Sequence, residues 1–128
     1  MKPSDFTMNS DYLSIAQTAR NEYTVYVGGG TLVQDAYSTQ NFDFASTEPK
    51  GAVDRVYIKK DSGNYTLGAL MAIFPATDVW GSVRVYRTSA TNLRVQVVLE
   101  NHALSGSVSY PAMTFKIKVA SFEPPNVF

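Results

Sequence analysis

A chain of 128 residues, 45% hydrophobic and 17% charged, has the length and composition of one globular domain built around one core. Eleven Lys and Arg balance eleven Asp and Glu to a formal net charge of zero, so the long-range field that draws a protein onto nucleic acid or an anionic membrane is missing, and neither is expected as a partner. The absence of cysteine excludes disulfides, thiolate metal sites and cysteine nucleophiles together, without fixing a compartment.

Residues 1–21 read either as an N-terminal arm or as a short helix capped by Ser10, with Tyr12, Ile15, Ala16 and Ala19 on one face. The start is polar and reads as lacking a signal peptide, and the longest apolar run, near residues 69–76, is far too short to cross a bilayer. From Glu22 a period of two takes over, which is the signature of a strand with one wet and one buried face. Tyr23, Val25 and Val27 share one face, with Glu22, Thr24 and Tyr26 on the other. Gly28, Gly29 and Gly30 then predict a tight turn at positive φ before Thr31, Leu32 and Val33. Residues 36–44 predict a further strand, ending in a loop over residues 46–51 where Pro49 and Gly51 stop pairing.

Residues 53–60 alternate again, with Val56 and Ile58 opposed to Arg55, Tyr57 and Lys59. The turn chemistry of Asp61, Ser62, Gly63 and Asn64 predicts a hairpin into residues 65–74. Apolar side chains fall on both faces of that segment, which predicts one central strand covered on both sides. Residues 80–88 and 92–100 flank a polar turn and predict a hairpin. Within it Val83, Val85, Leu93, Val95, Val97 and Leu99 lie on the apolar sides. A short strand near residues 108–110 and a long one over 113–122, with Phe115, Ile117 and Val119 inward, complete the pattern. The sum, about seven to nine strands with little helix, predicts an all-β fold: an antiparallel β-sandwich, with jelly-roll connections as a variant. The domain spans 22–123, leaving residues 124–128 as a C-terminal tail.

Motifs that carry chemistry are scarce. The glycine run lacks the Lys-Ser/Thr and the strand-to-helix setting of a phosphate loop. His102 is the only histidine; no Gly-x-Ser-x-Gly elbow accompanies it, and zinc would need several carboxylates to converge on one imidazole, so it reads as an ordinary loop residue. Asp35, Asp43, Glu48, Asp54, Asp61, Asp78 and Glu100 are scattered over different elements, with no spacing that marks a carboxylate pair. The Asp61–Asn64 turn does not match a calcium loop, and Asn64-Tyr65-Thr66 is a glycosylation triplet of a kind that arises often by chance. No catalytic, cofactor or metal residue is therefore assigned, and the chain is expected not to be an enzyme.

The constellation that stands out is aromatic. Tyr26, Tyr57, Trp80, Arg84 and Tyr86 fall on faces that alternation makes outer, and these residue types pair large apolar area with a polar tip. They are the candidate interface or ligand residues; sugar rings would suit them as well as protein would.

The opening residues Lys2-Pro3-Ser4-Asp5-Phe6 and Asn9-Ser10-Asp11-Tyr12 resemble the start of small all-β proteins encoded among the structural genes of phages and prophages. In those proteins a Ser-Asp-Phe or Ser-Asp-Tyr segment precedes sheet-rich sequence of this length. The Pro-His-Gly turn that many of them carry is absent. The resemblance implies a virion or tail-associated component without catalysis, a homo-oligomer whose partners are neighbouring structural proteins or a host receptor or glycan. The alternative is a carbohydrate-binding β-sandwich module using the outer aromatics.

Overall fold

The computed structural model describes residues 17–47 and 53–122, and among these every regular element is a strand. In chain order they are β1 (Gln17–Val27), β2 (Gly30–Leu32), β3 (Tyr37–Ala45), β4 (Val53–Lys60), β5 (Thr66–Leu67), β6 (Leu70–Ala76), β7 (Val79–Ser89), β8 (Asn92–Asn101), β9 (Val108–Tyr110) and β10 (Met113–Phe122). All pairings are antiparallel. They build a first sheet in the order β1-β10-β4-β5, a second in the order β3-β8-β7-β6, and a small ribbon of β2 and β9. The two larger sheets pack together as a β-sandwich.

The pairings β1 with β10, β2 with β9 and β3 with β8 are nested, so the two halves of the chain fold back on each other. In the middle of the chain the nesting ends, and β6, β7 and β8 run as a simple meander.

Alternation decides which side chains fill the space between the sheets. Val25, Val27, Val56, Ile58, Phe115, Ile117 and Val119 of the first sheet and Val79, Val83, Val85, Leu93, Val95, Val97 and Leu99 of the second form one buried cluster. Gly81 occupies the place between Val79 and Val83 where the next inward side chain would stand. A Cβ there would lie 2.0 Å from the Val98 carbonyl oxygen, so the strands approach too closely for any side chain.

One ion pair ties the sheets together at the edge of this core. Arg87 on β7 donates through Nε to Asp54 Oδ2 on β4 at 2.6 Å and through Nη2 to Oδ1 at 3.2 Å. Ser121 on β10 adds its hydroxyl to Oδ1 at 2.7 Å, and Arg87 Nη1 reaches the Ser46 carbonyl. Burial is the largest influence on Asp54 and raises its pKa. The hydrogen bonds from Arg87 and Ser121, with the Arg87 charge, outweigh it and hold the carboxyl below its ordinary 3.8.

Several expectations change. The strand predicted from Glu22 begins at Gln17, so residues 17–21, including Ala19, are strand rather than arm or helix; the rest of that segment and the tail at 124–128 lie outside the described residues. The glycine run is not a positive-φ turn, since among the described residues only Gly68 and Gly106 are glycines in that region. Close approach accounts for two of the three: a Cβ on Gly29 would stand 3.0 Å from the Tyr110 carbonyl oxygen and one on Gly30 2.9 Å from the Tyr110 hydroxyl, whereas one on Gly28 would meet nothing within 4 Å. Finally, residues 65–74 are not one central strand. Gly68, at φ 144°, breaks the segment into β5 and β6, which lie at the edges of different sheets. Pro75 then interrupts β6, where it has no N–H to give β7 and the register shifts between Ile73 and Ala76.

Two outcomes follow. Val97→Ala should lower stability on the order of 1 to 3 kcal/mol in denaturant unfolding, through lost burial and a residual cavity. Because the folded pKa of Asp54 is depressed, its contribution is present in full above pH 3.8 and is lost as pH falls below that value through the folded pKa. Asp54→Asn should therefore reduce the acid dependence of stability in that window; an unchanged acid limb would show that the pair contributes nothing.

Candidate functional site

The outer face of the second sheet is organised in rows across its strands. The first joins Trp80 on β7, Glu100 on β8 and Tyr37 on β3. Ser82, Val98 and Thr39 follow with Ala72 of β6, then Leu70, Arg84, Gln96 and Asn41, then Tyr86, Arg94 and Asp43. The lower rows are polar and internally paired. Arg84 donates to Gln96 at 3.3 Å and Gln96 to Asn41 at 3.1 Å. Arg94 grips Asp43 with two bonds of 2.8 and 3.3 Å, while Arg84 lies 4.6 Å from the centre of the Tyr86 ring. The Arg94 hydrogen bond is the main reason the Asp43 carboxyl sits below its ordinary pKa, and Asp43 and then Tyr86 raise that of Arg94.

The upper end of the face is aromatic. Trp80, 51% exposed, stacks on His102 with ring centres 4.2 Å apart and meets Phe74 of β6 edge-on at 6.3 Å. His102 donates through Nε2 to Glu100 Oε2 at 2.9 Å, and its main-chain N–H donates to the Asp78 carbonyl at 2.6 Å. Beside it lies a shallow depression of about 330 Å³, bordered by Asp35, Tyr37, Glu100 and His102. The loops that shape this depression are pinned by Asn101, whose side chain is buried. Its amide nitrogen donates to the carbonyls of Leu32, Val33 and Gly106 at 3.0 to 3.1 Å, and its oxygen accepts from the Ala103 N–H at 2.8 Å.

The five candidate residues do not form one site. Trp80, Arg84 and Tyr86 share the outer face of the second sheet, whereas Tyr26 and Tyr57 lie on the outer face of the first. Tyr26 is 72% exposed and opposite Thr114. Tyr57 stands opposite Lys118 in a cationic setting, with Lys116 directly across from Lys59 and Tyr65 beneath Lys59 and Lys118. Alternation identifies an outer face but not which of two sheets owns it.

Sequence reasoning missed Tyr37, Leu70 and Phe74, and gave His102 no role. Pro75 was the available signal for Phe74, since a proline in an apolar run argues for an edge strand. The Trp80–His102 contact links separate elements and left no local mark. Among the described residues no three His, Asp or Glu side chains are placed to hold a metal ion.

Asn101→Ala should leave the Leu32, Val33 and Gly106 carbonyls without that donor and cost on the order of 1 to 3 kcal/mol. Trp80 is the only tryptophan, so its emission should change as His102 shifts, and unchanged stability and emission would refute the pinning role. No protein-family model matches this chain, and no curated protein or solved structure matches it either.

Proposed function

We propose that this chain is a non-catalytic structural and interaction protein that works by self-association and by binding a neighbouring protein or host receptor, as a virion or tail-associated component of a phage or prophage would. The observation that carries self-association is the apolar strip at the β6 side of the second sheet: Leu70 is 65% exposed and Phe74 68%, and Phe74 continues into Trp80. Apolar patches of this kind on a small domain usually mark contacts between macromolecules. The phage association rests on the opening residues alone.

A second reading, a carbohydrate-binding module, is favoured by one feature. The depression beside the Trp80–His102 stack combines aromatic borders, Tyr37 and His102, with two carboxylates, Asp35 and Glu100, that can accept from sugar hydroxyls. A glycan array separates the readings, because a module binds defined sugars as a monomer.

Light scattering should give a multiple of the 14.1 kDa chain mass. Phe74→Glu should reduce it, since association would then bury an unpaired charge. A chain that stays monomeric at high micromolar concentration would refute self-association and transfer support to the glycan reading.

A further inference from the structure

Among the described residues the two larger sheets have four edges, β1 and β5 in the first and β3 and β6 in the second. Edge strands present unpaired N–H and C=O groups, and natural proteins guard them with charge, proline, bulges or brevity. β5 has only two residues, β1 exposes Glu22, and the exposed side chains of β3 include Asn41 and Asp43. β6 differs. Residues 65–77 contain no charged side chain, and the guards within β6, Pro75 and the register shift between Ile73 and Ala76, lie near its end.

The direction of the β6 backbone follows from one bond. The Val85 N–H donates to the Ala69 carbonyl, and the β6–β7 register continues from that pair through Leu70 and Arg84 to Ile73 and Gly81. In an antiparallel ladder, bonded and non-bonded pairs alternate. Residues 69, 71 and 73 therefore direct their main-chain groups at β7, while Leu70 and Ala72 direct theirs away from the sheet, and Phe74 follows at the register shift. Leu70, Ala72 and Phe74 are all exposed. The open edge thus offers a strand the outward main-chain groups of Leu70 and Ala72, with the exposed side chains of Leu70 and Phe74 on either side of a small Ala72.

We propose that β6 pairs antiparallel with β6 of a second copy about a two-fold axis through Ala72, joining the two β3-β8-β7-β6 sheets into one continuous sheet. This rests on the self-association reading and specifies its geometry. The arrangement is isologous: Leu70 lies opposite Phe74 of the other copy and Ala72 opposite itself, where the pair exchanges both main-chain hydrogen bonds. Self-pairing is favoured over an unrelated peptide because the edge is self-complementary. An apolar residue faces an apolar residue at both ends, the smallest side chain sits on the axis, and the absence of charge along residues 65–77, with zero formal net charge, leaves nothing on either edge to repel its twin.

The chain has no cysteine, so Ala72→Cys introduces a single thiol at an exposed position. Bonded antiparallel pairs have Cα atoms about 5.5 Å apart, within disulfide range. Mild oxidation should convert this variant to a covalent dimer on a non-reducing gel, while Asn41→Cys on the β3 edge should give none. Ala72→Lys should move the mass in light scattering from twice the chain mass to the chain mass. If the wild type is oligomeric but Ala72→Cys does not cross-link and Ala72→Lys leaves the mass unchanged, β6 pairing is wrong and self-association stands. A monomeric wild type overturns both.

Discussion

The closure of two sheets on one apolar layer is the constraint from which the rest of this structure follows. Each long strand contributes alternate side chains to that layer, so the register of every pairing is fixed by the requirement that Val, Leu, Ile and Phe point inward together. A slip of one residue in β8 would turn Leu93, Val95, Val97 and Leu99 to water and bring Arg94, Gln96 and Glu100 into the core. The close approach at Gly81 belongs to the same layer, because β7 and β8 are tight there at the expense of a side chain.

Two polar ties hold the layer without interrupting it. Asp54, Arg87 and Ser121 join β4, β7 and β10 across the two sheets, and Asn101 gathers the segments after β2 and β8. Both are satisfied arrangements: among the described residues no buried side-chain nitrogen or oxygen lacks a partner. That matters energetically, since a buried polar group without a partner costs more than a typical hydrogen bond contributes. The scaffold is thereby specified from within, which leaves the outer faces free to carry whatever the protein binds.

Much of this was legible in the sequence, for a definable reason. Strands β4, β9 and β10 and the β7–β8 hairpin were predicted to within a residue or so, because each is a long alternating run or is bounded by turn residues, and those signals are local. Residues 65–74 failed because apolar residues on both faces were read as double burial. The same pattern arises when a chain leaves one sheet and joins another, burying Ile73 in the core while Leu67, Leu70 and Phe74 stay in water. The glycine run failed because glycine answers to steric approach as well as to φ, and the Tyr110 backbone and ring that crowd Gly29 and Gly30 come from some eighty residues away. The candidate site was half legible: alternation marked Trp80, Arg84 and Tyr86 as outward, but the partners that give Trp80 its setting, Phe74 and His102, come from β6 and the segment after β8.

The surfaces differ in what they would demand of an approaching copy. The outer face of the first sheet sets Lys116 across from Lys59 with Lys118 nearby, so stacking that face on itself would bring like charges together. On the second sheet, the lower rows are occupied by the Asp43–Arg94 and Arg84–Gln96–Asn41 ties, whose hydrogen bonds would have to be preserved or replaced in any face-to-face contact. The β6 edge asks for neither. Its exposed side chains are apolar, and its outward main-chain groups gain partners when a strand arrives, so pairing there removes apolar area from water without desolvating a charge. An edge whose guards, Pro75 and the register shift, lie only near its end is therefore, among the described residues, the surface that opposes a second copy least.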